Sequence, residues 1–254
     1  MRSSVINKLF QLLFITSSVL FANEEKIEFD IKNTKQGLSD NDISSIANDG
    51  HGFLWLGTNE GLNRYDGYEF KTYQSNFFDS TALSGNVIWS IFKDSDGDIW
   101  VGTDKGIDQY IYGLDQFKRY DLGSKPVSII QDETNGSIII ASENTGLHLI
   151  NKKDGSKRSF KNDPDDGFSI SGNSFNINQH NPIAIDELGN IWIATDNGLN
   201  YYRKDKDIFT RFNQREGLSG NKINTLMAKG DFIYVGSSKG LDRINIKSFN
   251  IEKL

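Results

Sequence analysis

Cysteine is absent from the 254 residues, and proline occurs only three times. The first absence excludes disulfides, thiolate metal sites and cysteine nucleophiles. Basic runs are missing as well. Lys and Arg total 28 against 34 Asp and Glu, a net charge of −6, which makes the chain a poor binder of polyanions. Hydrophobic residues make up 37%, low for a membrane protein. What is plentiful is glycine, 24 residues, beside 12% aromatics. That pairing suggests many tight turns around large aromatic core residues. The length suffices for one large or two small domains with a core that needs no staples.

The amino end reads as a leader. Arg2 and Lys8 precede an apolar stretch from Leu9 to Phe21, interrupted by Gln11, Thr16, Ser17 and Ser18. Thirteen residues are too few to cross a bilayer, but they suit the core of a signal peptide ending at Ala22. Removing residues 1–22 would leave 26 basic against 34 acidic residues, a charge of −8. Export to the periplasm or the outside is the expectation.

The remainder repeats itself. Unit one runs from Gly37 to Tyr73 and unit two from Leu83 to Tyr120. An eroded third holds Gly136 to Ile150, a fourth Ile170 to Asn173 and Asp186 to Tyr202, and a fifth Gly217 to Ile244. Trp55, Trp100, Ile139, Trp192 and Tyr234 occupy matched positions, with gaps of 45, 39, 53 and 42 residues. A period near 45 with several short strands per unit is that of a propeller blade. Asp49–Gly52, Asp94–Gly97 and Asp186–Gly189 have Asp and Gly where a type I turn wants them. The next strand is a continuous apolar triplet, such as Leu54-Trp55-Leu56 or Ile99-Trp100-Val101, so both faces of the sheet should be buried. Glycines 61, 106, 146, 198 and 240 then close tight hairpins, and the outer strands carry spaced aromatics such as Phe117 and Tyr120. The fold expected is all-β: a β-propeller of four-stranded blades, about five in this chain. Their approximate limits are 37–74, 83–121, 125–161, 170–213 and 217–252. Ile27–Ile31 reads as an extra outer strand before unit one, and Phe249 as part of the outer strand of unit five. Two candidates for one closing position favour an unfinished ring.

The motif N-x-I-x-x-I-x-x-D-x-x-G-x-x-W-x-G-T-x-x-G-[LI], legible at Asn41–Leu62 and Asn86–Ile107, resembles the two-component regulator propeller repeat. The likeness covers residues 27–254. It implies an incomplete ring of a seven-bladed type and the periplasmic sensor part of a hybrid histidine kinase, or of a related cyclase sensor. In that family further blades, a β-sandwich, a membrane helix and an output domain follow. The resemblance also suggests oligosaccharides as a ligand class.

No catalytic constellation stands out. His51, His148 and His180 fall in different units without common spacing, and no pair of carboxylates departs from the repeated turn acids. Phosphate loops and nucleophile elbows are missing. Asp94, Asp96 and Asp98 invite a calcium reading, but Lys105 stands where an EF-hand needs Glu, so a plain Asp-Gly turn is expected. Neither metal nor cofactor is expected, and the chain is not expected to be an enzyme. A binding surface fits better. The loops entering each inner strand carry Asn41, Asn86, Asn173 and Asn221, which serve either to cap turn backbone groups or to meet a ligand, and the loop lengths differ. Trp89 replaces the Ser44 and Asn224 of other units, either to stack on a sugar or to pack between blades. His180 lies in an extra segment, 176–182. These six residues are the candidate ligand site. A secreted scaffold without kinase output, and a propeller glycosidase or lyase, are the alternatives.

Overall fold

A computed structural model describes residues 29–175 and 181–254. Twenty strands form five four-stranded antiparallel sheets, each with its strands in chain order. Blade one contains β1 (Ile43–Asn48), β2 (Leu54–Thr58), β3 (Gly61–Tyr65) and β4 (Phe70–Tyr73). Blade two contains β5 (Ile88–Lys93), β6 (Ile99–Thr103), β7 (Gly106–Ile111) and β8 (Gln116–Asp121). Blade three contains β9 (Pro126–Gln131), β10 (Ile138–Ser142), β11 (Gly146–Ile150) and β12 (Lys157–Phe160). Blade four contains β13 (Ile183–Ile185), β14 (Ile191–Thr195), β15 (Gly198–Arg203) and β16 (Ile208–Phe212). Blade five contains β17 (Ile223–Lys229), β18 (Phe232–Ser237), β19 (Gly240–Asn245) and β20 (Ile251–Lys253).

The second strand of each blade is the apolar triplet, and its alternate side chains point to opposite seams. Trp55 joins Leu83, Ile88, Ile99 and Val101 of blade two in one cluster. Trp100 meets Ile129, Ile138 and Ile140 of blade three, Ile139 meets Ile183, Ile191 and Ile193 of blade four, and Trp192 meets Ile223, Ile233 and Val235 of blade five. Trp55, Trp100, Ile139 and Trp192 are fully buried, whereas Tyr234 is half-buried. Tyr234 has no following blade among the described residues. On the opposite end of the series, Ile43 and Ile46 of blade one are 37% and 57% exposed, although their counterparts Ile88 and Leu226 are buried. Among the described residues the blades close no ring: the first and last each keep an apolar face unpacked.

The spacing D-x-x-G-x-x-W has a geometric cause. Asp94 Oδ1 accepts from the backbone N–H of Asp96 and Asp98, closing the turn, and its Oδ2 accepts from Trp100 Nε1 at 2.9 Å. Asp49 with Trp55, at 2.7 Å, and Asp186 with Trp192, at 2.9 Å, repeat the arrangement. A buried indole N–H thus finds its acceptor six residues upstream.

The next blade adds a partner to the turn aspartates of blades one to three, Asp49, Asp94 and Asp132. The residue six after the hairpin glycine reaches back across the seam. Tyr112 Oη donates to Asp49 Oδ2 at 2.7 Å, Lys152 Nζ to Asp94, and Lys204 Nζ pairs with Asp132 at 2.6 Å. In blade five this position is Ile246, buried in the cluster of Trp192.

Two expectations are corrected. Phe29–Ile31 forms no strand, and Phe29 and Ile31 are exposed; residues 27 and 28 lie outside the described residues. Phe249 belongs to the turn before β20, with φ +57°, and packs on Trp192, Tyr201 and Phe212. It fills the slot nine residues after the hairpin glycine, where Asp115, Gly155 and Asp207 are also left-handed. In blade two Asp115 uses that slot to accept from Tyr73 and Tyr110, at 2.6 Å each, and from Lys71. Burial by itself would raise the Asp115 pKa, but those donors outweigh it and hold the carboxyl at about 2.

The longer entry loops are fastened by arginine. Arg119 on β8 donates to the carbonyls of Asp79, Ala82 and Leu83 at 2.6 to 2.9 Å, and Arg211 on β16 holds the carbonyls of Asp166 and Ser169 likewise. Arg119→Met leaves four carbonyls, that of Asn76 included, without that donor. Limited proteolysis should then cut within residues 76–82 at least about tenfold faster than in the parent chain, because local opening governs cleavage.

Candidate functional site

The loops that enter β1, β5 and β17, and the stretch 170–175 that precedes β13, share one construction. In four blades a serine backbone N–H donates to a buried side chain on the third strand. The pairs are Ser39 with Asn63, at 3.0 Å, and Ser84 with Asp108, Ser171 with Asn200 and Ser219 with Asp242, at 2.8 Å each. Two residues on, the asparagine accepts through Oδ1 from a backbone N–H upstream, which in blades two, four and five lies just beyond the preceding outer strand. Asn41 takes Thr34 at 2.9 Å, Asn86 takes Ser75 at 2.7 Å, Asn173 takes Asn162 at 2.6 Å and Asn221 takes Gln214 at 2.8 Å. All four candidate asparagines are thus engaged through Oδ1 in clips that shape the entry loops. Asn41 is exposed and the other three are half-buried.

Trp89 has a different setting. It sits on β5, the inner strand of blade two, with 42% of its surface exposed. Lys125 Nζ lies 4.0 Å from its ring centroid, and the same ammonium pairs with Glu143 at 3.4 Å. The neighbouring Ser90 Oγ is buried without a hydrogen-bond partner. In blade one Ser44, at the position of Trp89, donates to the Ile88 carbonyl at 2.6 Å, and Ser45, at the position of Ser90, accepts from Ile91 N–H at 3.0 Å. An exposed indole with a cation and a carboxylate beside it offers a stacking surface together with a donor and an acceptor, which suits a polar ring. Lys125 and Glu143 belong to the eroded third unit, where Lys125-Pro126 interrupts the loop pattern; sequence reading missed them for that reason. His180 lies outside the described residues.

The acid triplet of blade two is occupied by the protein itself. Lys152 Nζ contacts Asp94, Asp96 at 2.6 Å and Asp98 at 3.3 Å. Burial would lower the Lys152 pKa, but the three carboxylates outweigh it and raise it. Among the described residues no group of three His, Cys, Asp or Glu is placed to hold a metal ion. His51 stacks on Tyr112 with centroids 4.1 Å apart. His148 is buried in blade three, with Nε2 3.0 Å from Ser142 Oγ and Nδ1 2.8 Å from Ser159 Oγ. These two histidines serve separate blades.

Sheets packed face to face in chain order, with every seam built by one residue pattern, define a β-propeller. In its first two blades, residues 37–60 and 82–105 match the Two component regulator propeller family model. Over 47 residues the chain is 47% identical to Histidine kinase P4 of Formosa agariphila; that stretch is 18% of this chain and 3% of the kinase. The extracellular domain of a hybrid two component system from B. thetaiotaomicron has a similar structure. Its TM-score is 0.62 at 24% identity, over 87% of this chain and 32% of that one. Virginiamycin B lyase from Staphylococcus aureus, solved as a catalytically inactive form with quinupristin, gives 0.55 at 18% identity, over 90% and 73%. Likeness at these identities concerns the fold.

Proposed function

We propose that the chain is the extracytoplasmic, ligand-sensing propeller of a two-component sensor, itself without catalytic activity, whose signal passes to a histidine kinase or cyclase module. The observation that carries the reading is the repeat match at 37–60 and 82–105, joined to an exposed Trp89 on an inner strand. The local identity to a histidine kinase supports the same output. An oligosaccharide is the ligand class that an exposed indole beside Lys125 and Glu143 would serve, through ring stacking and polar contacts. The leader-like residues 2–22 support export. A sensor of this kind works only if the ligand favours one arrangement of its partner domains over another.

The test is a thermal-shift screen of the purified chain against a panel of oligosaccharides, repeated with Trp89→Ala. A ligand at a hundredfold its Kd should stabilise the parent by about 2.7 kcal/mol. Trp89→Ala should abolish that shift while leaving the unliganded melting point within about 2 °C, since the side chain is partly exposed. Turnover of a panel member would instead favour a lyase or glycosidase. A parent chain that no member shifts would remove the saccharide reading.

A further inference from the structure

Beyond the Trp89 surface, a second cleft lies at the seam of blades three and four. It measures about 490 Å³ and is walled by Ile130 of β9 and Ile183 and Ile185 of β13. Its polar lining comes from the two strand-joining turns, with Glu133 on one side and Asp186 and Glu187 on the other. β9 ends at Gln131 and β13 at Ile185, each one residue before its turn aspartate, so the cleft lies where the two turns leave the seam.

The charge of the lining is one-sided. Three carboxylates line the cleft and no basic side chain does. Most of the other polar groups are already engaged. Gln131 Oε1 accepts from Ser95 N–H at 2.7 Å, Thr134 Oγ1 donates to Asp132, and Asp186 is consumed by its own turn and by Trp192. The two nearest lysines are committed as well. Lys204 reaches Thr134 and the Gly189 carbonyl but pairs with Asp132, and Lys247, which attracts Glu187 electrostatically, pairs with Asp231 at 2.8 Å. Glu133 and Glu187 are exposed and carry no ion pair among the described residues.

We infer that this cleft binds a small alkylammonium compound, with its methylene chain against Ile130, Ile183 and Ile185 and its charged end between Glu133 and Glu187. The volume falls within the range of small-molecule sites. The apolar wall selects for a methylene chain, and the unpaired carboxylates select against neutral and anionic ligands. The site is independent of the proposed Trp89 surface, and its ligand chemistry differs.

The probe is cadaverine, titrated into the full chain by calorimetry at 20 mM and 300 mM NaCl, with 1-pentanol as the uncharged comparison. The expected result is a Kd of about 1 mM at low salt, in line with a fragment-sized ligand. Affinity should fall at least about fivefold at 300 mM NaCl and in the Glu133→Gln, Glu187→Gln double variant. Pentanol should bind at least about tenfold more weakly, because burial of its chain gains nothing from the carboxylates. Both substitutions are on exposed turn residues, so circular dichroism and melting should match the parent. Trp89→Ala should leave cadaverine binding unchanged, which separates this site from the saccharide reading. Equal affinity in the double variant, or equal binding of pentanol, would overturn the inference, as would a parent chain that binds neither.

Discussion

Asp94→Ala should destabilise the chain by about 3–5 kcal/mol, because it strips two buried donors of their acceptor at once. Trp100 is fully buried, and its indole N–H donates to Asp94 Oδ2. The Lys152 side chain is 13% exposed and would keep only the more solvated Asp96 and Asp98. The turn itself would lose the acceptor for two backbone N–H groups. Urea unfolding of three proteins separates these contributions. Asp94→Ala with Lys152→Met should recover about 1–2 kcal/mol relative to Asp94→Ala alone, since the poorly compensated ammonium has gone. If the double variant is no more stable than the single one, the latch across the seam contributes little and the turn and indole bonds account for the loss.

The second large effect concerns pH and involves two buried groups with opposite slopes. Burial, with Lys157 and Lys161 nearby, lowers the His148 pKa from 6.5 to about 4. The unfolded chain therefore takes up this proton near pH 6.5 while the folded chain does not, and stability falls as pH drops from 6.5 to 4. Burial raises the Asp108 pKa from 3.8 to about 6, against the lowering effect of its bonds from Ser84 and of Arg119. Here the folded state takes the proton first, so stability rises as pH drops from 6 to 3.8. The two slopes oppose each other in one window. His148→Asn places in blade three the residue that Asn63 and Asn200 provide elsewhere. It should remove a loss of about 2–3 kcal/mol between pH 6.5 and 4, leaving stability flat or rising on acidification. Asp108→Asn should stabilise by about 1–3 kcal/mol at pH 7.5 and steepen the acid loss between pH 6 and 4. Its reason is geometric as well. Asp108 Oδ1 is buried without a partner, whereas Asn200 Nδ2 donates to the Ile193 carbonyl at 3.2 Å and to Ser171 Oγ at 2.9 Å. Urea midpoints from pH 4 to 7.5 decide both. Unchanged slopes in the two variants would mean that these groups titrate alike in the folded and unfolded chains. Asp115, held at about 2, contributes its own acid loss below that window, as pH falls from 3.8 through 2.

Much of the architecture is legible because the chemistry that makes a blade is local. An Asp four residues from a turn amide and six from an indole is a pattern within one hairpin, and it recurs with the blade period. An apolar triplet announces a strand covered on both faces wherever it occurs. One misreading comes from a residue type that serves two ends: Phe249 resembles an outer-strand aromatic but occupies a left-handed turn, because its ring fills the space beside Trp192. The asparagines of the entry loops were legible as caps of turn backbone groups, and each accepts from a backbone N–H through Oδ1.

By itself the sequence determined the strand content, the blade period and the aromatic core, because turn geometry and hydrophobic pattern act over a few residues. Tertiary structure alone decided which groups meet across a seam. Tyr112 finds Asp49 from 63 residues away and Lys152 finds Asp94 from 58, and the residue types at that position change from blade to blade, so no periodic signal marks them. Likewise, the pairing of Lys125 with Trp89 and Glu143, and the cleft between the turns of blades three and four, exist only once the sheets are stacked. Contacts made by packing depend on distances that the order of residues along the chain does not set.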